Sequence, residues 1–260
     1  MLLYIFVFVL LIIVILPAII IVPQAFTSLN YFKFPVEEYS TKWFEKFFEN
    51  SEWIVGLERS LGIAIVSALL ATIIGTMGAL AVNRLHFKGK SVFMGIMISP
   101  MVVPVVIIGV ALYSTFAKVG LTNTIGGLVL AHTLLGIPMV FTTMLSGFAN
   151  VNENLELAAL SMGSTPIGAF FKVTLPTVKS SLVSAILFAF VTSLDEVVVT
   201  IFVSGANTKT LTMVMWENMR TNIDPTLAVA ATFMIVLTLG MYIISQVANA
   251  SSNKKIKSKE

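Results

Sequence analysis

The chain has 260 residues, of which 57% are hydrophobic and only 11% are charged, and its mean hydropathy is +0.95. A soluble domain has about a quarter of its residues charged, so this composition excludes an ordinary soluble protein. The absence of cysteine excludes disulfides and cysteine metal sites, and a net charge of +3 with scattered lysines excludes a nucleic-acid-binding surface.

Six apolar segments are long enough to cross a bilayer as helices. They lie near residues 2–24, 58–82, 91–117, 124–148, 180–204 and 226–248. Each has about 20 residues or more, which is the length needed to cross roughly 30 Å of hydrocarbon. The first segment has no basic n-region and no small-residue cleavage site, so we expect an uncleaved helix. The sequence therefore predicts an all-α, polytopic membrane protein, with one transmembrane domain over residues 1–260.

The segment after the first span contains an aromatic pattern, "STKWFEKFFEN". Trp43, Phe44, Phe47 and Phe48 recur at helical spacing beside charged residues. This pattern predicts a short amphipathic helix in the membrane interface and favours an aromatic anchor over a ligand site.

The third and fourth spans contain three prolines, Pro100, Pro104 and Pro138. Each proline removes a backbone donor, and a bilayer tolerates this where protein or water satisfies the released groups. We therefore expect helix breaks that line the interior and bend during gating, although ordinary packing kinks would leave the same pattern. His132, in the fourth span, is interpreted as a hydrogen-bonded helix contact rather than a proton carrier. No second ligand stands at metal spacing, so no metal site is predicted.

A polar segment, residues 150–179, follows the fourth span and is called the coupling hairpin below. In "ENLELAALSMGSTPIGAFFKVTLP" a helix is predicted from Glu153 to Met162, and Gly163 ends it in the left-handed conformation. Ser164 or Thr165 then caps a second helix with Pro166 at its first position, and Pro176 interrupts that helix. Ala159 and Gly163 are small residues four apart on one side. Such a segment suits docking to a partner, whereas a mere connection would need no second helix.

Asp195 and Glu196 are the only acidic residues that lie away from the ends of a predicted span. They lie about 14 Å from the outer end of the fifth span, near the bilayer midplane. Each ionised carboxylate facing lipid would cost about 2.5–3.5 kcal/mol. We therefore interpret the pair, with Ser193 beside it, as part of a substrate pathway that favours cations; a structural hydrogen-bond network is the alternative.

The polar segment after the fifth span contains Trp216 and Glu217. We expect these two side chains to belong to the outer part of the substrate pathway. An ordinary polar connection is the alternative.

The positions of lysine and arginine predict the orientation of the chain. Nine of the sixteen basic residues lie on one side if both termini are cytoplasmic: Arg84, Lys88, Lys90, Lys172, Lys179, Lys254, Lys255, Lys257 and Lys259. The coupling hairpin and a basic tail at 250–260 then face the cytoplasm.

The coupling hairpin resembles a motif of a known family. Its Leu157-Ala158-Ala159, three residues, Gly163, nine residues and Val173-Thr174-Leu175-Pro176 is similar to E-A-A-x-x-x-G followed by I-x-L-P in the membrane subunits of binding-protein-dependent ABC importers. Leu157 occupies the glutamate position, and Glu156 is displaced by one. The stretches "SPMVVPVVIIGVALY", "AHTLLGIPMVF" and "SLDEVVVTIFVSG" extend the resemblance, which is closest to the second permease of spermidine/putrescine-type importers.

The resemblance implies a type I ABC importer permease fold with six transmembrane helices, in a bacterial inner membrane. It implies three kinds of partner: a second permease, two cytoplasmic ATPase subunits and an extracytoplasmic substrate-binding protein. It assigns ATPase coupling to Glu156, Ala158, Ala159, Gly163, Leu175 and Pro176. The chain has no nucleotide-binding motif, so it is not expected to be an enzyme, and ATP and magnesium would bind to the ATPase subunits.

Two alternatives remain for the function. The same importer class serves other solutes, such as iron, thiamine and phosphonates. An ion-coupled secondary transporter is the other alternative, although the chain shows no internal repeat of the kind common in such carriers.

Overall fold

The computed structural model describes residues 2–257 and the side chains of residues 3–152 and 154–246. Within this range the chain is helical, with one isolated bridge between Thr27 and Tyr39 and no strand. The helices are α1 (Leu2–Gln24), α2 (Lys42–Glu49), α3 (Ser51–Arg84), α4 (Lys90–Val102), α5 (Val105–Val119), α6 (Ile125–Ala149), α7 (Glu153–Ser161), α8 (Pro166–Ala169), a π-helix (Phe170–Thr174), α9 (Leu175–Thr177), α10 (Lys179–Leu194), α11 (Val198–Val203), α12 (Leu211–Thr221) and α13 (Thr226–Lys257).

Four helices of the described chain, α1, α3, α6 and α13, are long and apolar enough to cross a membrane. Two bent pairs also qualify: α4 with α5, bent by 103°, and the α8–α9 segment with α10, bent by 79°. Counting each bent pair as one span gives six, so the all-α, polytopic fold class is confirmed.

Two of the predicted spans are not continuous helices, and here the sequence interpretation is corrected. The span at 91–117 ends one helix at Val102 and begins another at Val105. The span at 180–204 is interrupted at residues 195–197, between α10 and α11. Apolar length predicts that a segment can cross the membrane, but the backbone is broken where Pro104 lacks an N–H and where two carboxylates interrupt the apolar run.

The chain divides into two compact units. The first comprises Met1–Arg59 and Lys209–Gly240, and the second comprises Ser60–Thr208 and Met241–Glu260. Of the predicted basic tail, α13 includes residues 250–257; its lysine side chains and residues 258–260 lie outside what the structure describes.

Aromatic side chains form the core of the first unit. The Phe47 ring is fully buried, stacks on Phe233 at a centroid distance of 5.2 Å, and lies 5.6 Å from Trp53. Trp43 is also buried, whereas Phe48 is 57% exposed. The predicted amphipathic helix is thus present as α2, but protein covers the Trp43–Phe47 side. Helical spacing reveals an apolar face without revealing whether lipid or protein covers it.

The second unit is built around α6. Both α4 and α10 pack against α6, and α11 packs against α5. Gly109 allows the α5–α11 contact, because a Cβ atom there would lie 2.5 Å from the Phe202 ring. The apolar cluster between these helices contains Ile63, Ile108, Phe116, Leu128, Ala131, Val199 and Val203. This packing holds α11, the short helix after the acidic break, in a fixed position within the unit.

Candidate substrate pathway and coupling site

The acidic break between α10 and α11 gives its two carboxylates different surroundings. Asp195 is the C-cap residue that follows α10, and α11 begins at Val198. The Glu196 Oε1 atom accepts a hydrogen bond of 2.8 Å from the Val199 N–H. This contact caps the first turn of α11, where a negative charge also interacts favourably with the helix dipole. Glu196 therefore stabilises the restart of the helix.

Asp195 is exposed on the surface of the isolated chain. No side chain among residues 3–152 and 154–246 forms an ion pair or hydrogen bond with its carboxylate. An ionised carboxylate within a membrane-spanning segment is costly unless water or another protein contacts it. Of the two predicted pathway acids, Asp195 is the one whose carboxylate is available to a ligand.

A buried histidine on α6 joins the two sides of the break. His132 Nδ1 lies 2.8 Å from Ser193 Oγ and 3.1 Å from the Ser193 carbonyl oxygen. His132 Nε2 lies 3.1 Å from Thr200 Oγ1, which donates a hydrogen bond of 3.2 Å to the Glu196 carbonyl. The interpretation of His132 as a hydrogen-bonded helix contact agrees with this geometry.

Ser193 has a different place from the one predicted. Its residue is 4% exposed and its hydroxyl is directed at His132. Ser193 therefore stabilises the break from within. No local sequence pattern indicates this contact, because it joins residues 61 positions apart.

Trp216 and Glu217, the two outer pathway candidates, lie on α12 in the first unit. Trp216 is 38% exposed. Glu217 forms an ion pair with Lys209, which also contacts Glu52 Oε1 at 3.0 Å. The hydrogen bonds that Lys209 donates, first to Glu217 and then to Glu52, raise its pKa. Because Glu217 is already paired with a lysine, its carboxylate attracts a further cation less strongly.

Near the break in the third predicted span, a serine hydroxyl replaces a missing backbone hydrogen-bond donor. Because Pro100 has no N–H, the Ile96 carbonyl lacks its usual helical donor, and Ser99 Oγ donates to it at 2.9 Å. Pro104 precedes α5 with an extended backbone (ψ 128°). A cavity of about 290 Å³ adjoins this bend, lined by Ser99, Pro100, Val103, Ile107, Ile108, Ala111, Leu112, Thr115 and Leu134. Pro100 lies inside α4 and Pro138 inside α6, so neither proline ends its helix and the breaks predicted at these two positions are absent.

The coupling hairpin has the helix–turn–helix structure that its sequence predicts. Gly163 adopts φ +86° and ends α7 in a Schellman motif, with Ser164 N–H donating to the Ala159 carbonyl at 3.0 Å and Gly163 N–H donating to the Leu160 carbonyl at 2.9 Å. Thr165 Oγ1 accepts from Gly168 N–H at 3.1 Å, and Pro166 begins α8. The second helix then widens into the π-helix before Pro176. The turn is therefore defined by hydrogen bonds between residues that are close in sequence.

The outward surface of the hairpin is apolar. Leu157, Met162, Ile167 and Phe171 are 58%, 82%, 72% and 60% exposed, and Ala158 is exposed beside them. Exposed apolar surface of this kind commonly marks a protein contact. Among the predicted coupling residues, Pro176 is exposed and Leu175 is half-buried.

Two predicted coupling residues face the chain itself. Ala159 is only 7% exposed, so the surface that approaches it belongs to this protein rather than to a partner. Glu156 Oε2 contacts Arg84 Nη2 at 2.7 Å and Thr174 Oγ1 at 2.8 Å. The sequence does not predict that Arg84 is the partner of Glu156. The one relevant feature in the sequence is that Arg84 is a basic residue at the end of the second span.

Comparison with known families settles the class of protein. A family model described as "Binding-protein-dependent transport system inner membrane component" matches residues 71–254. The chain belongs to this family. It is a multi-pass inner membrane protein and a permease subunit of a binding-protein-dependent ABC importer.

Curated relatives resemble this permease over most of its length. The spermidine/putrescine transport system permease protein PotC of Haemophilus influenzae is 32% identical over 238 residues, which are 92% of this chain and 92% of that protein. The putrescine transport system permease protein PotI of Escherichia coli is 32% identical over 206 residues, covering 76% of this chain and 73% of that protein.

Solved structures show that the permease fold is shared. A chain of a bacterial ABC transporter involved in the import of the acidic polysaccharide alginate matches with a TM-score of 0.74 at 14% identity, covering 94% of this chain and 93% of that one. A chain of the MetNI methionine ABC transporter matches with a TM-score of 0.63 at 16% identity, covering 76% and 95%. At this identity the likeness concerns the fold alone.

Proposed function

We propose that this permease forms half of the translocation pathway of an ATP-driven importer for polyamines such as spermidine and putrescine. The observation that carries the proposal is the similarity to PotC, a spermidine/putrescine permease, over 92% of both chains. Polyamines are small multivalent cations, and a pathway for them needs negative charge that is not already neutralised.

Asp195 supports the substrate class. It supplies a carboxylate that no described side chain pairs with, at a helix break in a membrane-spanning segment. At a separation of about 4 Å and an effective dielectric near 20, its attraction for one ammonium group amounts to about 4 kcal/mol. Hydration of the free cation offsets part of this attraction. The break therefore provides a cation contact, while Glu196 holds the local backbone.

The coupling hairpin is the contact for a separate ATPase subunit in this proposal. Its outward residues are apolar and exposed, and the turn at Gly163 is open, with no atom within 4 Å of an added Cβ. A partner surface can therefore approach the backbone closely at that turn. ATP and magnesium bind to the ATPase subunits, and this chain acts by moving with them.

The importer also contains a second permease, two ATPase subunits and an extracytoplasmic substrate-binding protein. The second permease is a sister chain rather than a copy of this one. Both termini lie in the cytoplasm, which places the hairpin on the ATPase side. The similarity to a transporter crystallised with a pentasaccharide-bound periplasmic protein supports a binding protein as partner.

Reconstitution tests the proposal. The permease, its sister, the ATPase and the substrate-loaded binding protein would be placed in proteoliposomes, and uptake of radiolabelled spermidine would be measured. We expect uptake that requires ATP and the binding protein and that persists when ion gradients are abolished. Uptake driven by an ion gradient without ATP would contradict the importer mechanism.

The same assay examines the substrate class. The trehalose transport system permease protein SugB of Mycobacterium tuberculosis is 32% identical over 135 residues, 52% of this chain. Family membership therefore does not determine the solute. ATP-dependent uptake of a neutral sugar, with no uptake of spermidine or putrescine, would retain the importer and overturn the polyamine assignment.

A further inference from the structure

Three elements of the second unit meet at a single carboxylate. Glu156 Oε2, on α7, accepts a hydrogen bond of 2.7 Å from Arg84 Nη2 and another of 2.8 Å from Thr174 Oγ1. Arg84 is the last residue of α3, and Thr174 is the last residue of the π-helix. The carboxylate thus connects the end of a membrane-spanning helix to both helices of the coupling hairpin.

The surroundings of this contact favour a well-defined geometry. The Arg84 and Glu156 side chains are 18% and 23% exposed, and Thr174 is fully buried. Hydrogen bonds between ionised groups are shorter and stronger than neutral ones, and salt screens a partly buried pair less than an exposed pair. The position of Arg84 at the end of α3 also complements the dipole of that helix.

The hairpin does not continue as an unbroken helix into the membrane-spanning helix on either side of it. The α6 helix ends at Ala149, and α7 begins only at Glu153. At the other side, Val178 interrupts the helix with φ −95° and ψ 13°, and the chain bends by 79° there. A force applied to the hairpin would therefore be absorbed at these joints unless side chains held it.

We propose that Arg84, Glu156 and Thr174 form a positioning link that transmits movement between the coupling hairpin and α3. This proposal rests on the proposed ATPase contact of the hairpin. Glu156 acts through Arg84 rather than by touching the ATPase, because its carboxylate is directed into the chain while its neighbour Leu157 is 58% exposed. The link converts docking at the apolar outward surface into displacement of a membrane-spanning helix.

Charge reversal provides the test. Arg84→Glu, Glu156→Arg and the double variant that carries both changes would be reconstituted with the partner subunits. Lys88→Glu is the matched control, since it makes the same charge change at an exposed position four residues beyond Arg84. The measurements are copurification with the ATPase, ATP hydrolysis, and the number of solute molecules transported per ATP hydrolysed.

Each single reversal is expected to lower the amount of solute transported per ATP about tenfold or more, while ATP hydrolysis continues. The double reversal is expected to restore this ratio to within about threefold of the parent. Lys88→Glu should keep the parent ratio. Single reversals with the parent ratio, or a folded double variant no better than the singles, would overturn the link.

Milder variants cover the case in which charge reversal prevents folding. Arg84→Lys keeps the charge but loses the planar guanidinium, and Thr174→Val removes one hydrogen bond with little change of shape. Both are expected to lower the transported amount per ATP severalfold, and a parent-like ratio in both would overturn the link. A Gly163→Phe variant, whose phenyl ring would separate the open turn from the ATPase, distinguishes the two proposals. If only the link fails, Gly163→Phe should still inhibit transport; normal transport by Gly163→Phe would instead overturn the ATPase contact.

Discussion

The neighbouring residues Asp195 and Glu196 have different roles because the hydrogen-bonding partners of their carboxylates differ. Glu196 accepts from the Val199 N–H and caps α11. Asp195 has no such contact among the described side chains and is exposed. Replacement of each by its amide keeps the shape and removes the charge, so the two roles can be separated.

Asp195→Asn is expected to lower cation uptake by one to two orders of magnitude at most, because it removes an attraction of about 4 kcal/mol that hydration partly offsets. Glu196→Gln retains an oxygen that can accept from Val199 N–H, so its effect should be severalfold smaller. The measurement is the concentration dependence of spermidine uptake, with subunit assembly as the control. Normal uptake by both variants would assign the carboxylates a structural role.

His132 illustrates how a single side chain can hold a broken helix together. It is 1% exposed, and its two ring nitrogens contact Ser193 before the break and Thr200 after it. Buried hydroxyl groups left without such partners cost about 1–3 kcal/mol each. His132 therefore fixes the backbone on both sides of Asp195.

At the scale of elements, the coupling hairpin depends on its turn. Gly163 has φ +86°, a conformation that costs other residues about 1–2 kcal/mol. The outward surface on both sides of the turn is apolar and exposed. The turn thus fixes the angle between two helices while keeping the surface around it open.

Gly163→Phe should insert into the membrane normally but strongly reduce uptake and stimulated ATP hydrolysis, because the phenyl ring would separate the turn from the ATPase. Gly163→Ala is the matched control. It carries the same backbone strain, and its Cβ would meet no atom within 4 Å, so it should retain most activity. Equal loss in both variants would attribute the effect to strain, and normal transport by the phenylalanine variant would exclude the docking role.

The first unit contains an ion pair between Lys46 Nζ, on α2, and Asp224 Oδ2 at 2.6 Å, just before α13. Asp224 Oδ1 also accepts from the Thr226 N–H at 2.9 Å. Burial acts to raise the pKa of Asp224, but the hydrogen bonds from Lys46 and Thr226 outweigh it and the pKa is lowered.

Because its pKa is lower in the folded protein, Asp224 adds stability at pH values above its unfolded pKa of about 3.9. This contribution is lost as the pH falls through the folded pKa. Asp224→Asn retains a capping side chain but not the charge, and should be destabilised at pH 7 by about 1 kcal/mol or less, since the Lys46 side chain is 50% exposed. Thermal unfolding in detergent at pH 7 and at successively lower pH would measure the difference, which should shrink on acidification. A difference independent of pH would assign the effect to packing.

At the scale of the whole molecule, the orientation of the chain decides which surfaces meet which partners. The basic residues predict that the loop containing Gly89 is cytoplasmic and that the segment containing Asn207 is outside. The proposed ATPase contact requires the same orientation. The chain has no cysteine, so single cysteines can be introduced without a background.

Gly89→Cys should react with a membrane-impermeant maleimide only after the cytoplasmic side is opened, and Asn207→Cys should react in intact cells. Denatured samples control for inherent reactivity at each position. The opposite pattern would place the hairpin outside and separate it from any ATPase.

The features that depend on local physics could be predicted from the sequence. Apolar length predicted where the chain crosses the membrane, because hydrocarbon excludes unsatisfied backbone and charge. The turn of the hairpin followed from Gly163, Thr165 and Pro166, since backbone conformation and capping involve neighbouring residues only. These signals are contained within a few positions and need no knowledge of what packs around them.

Only long-range packing determines which polar side chains are exposed and which contact the chain itself. Ser193 is directed at His132 and Glu156 at Arg84, across 61 and 72 positions of sequence. The same long-range packing left Asp195 exposed while Glu196 became a cap. A buried polar group needs a hydrogen-bonding partner. The fold determines which atom becomes that partner, and neither composition nor residue spacing predicts it.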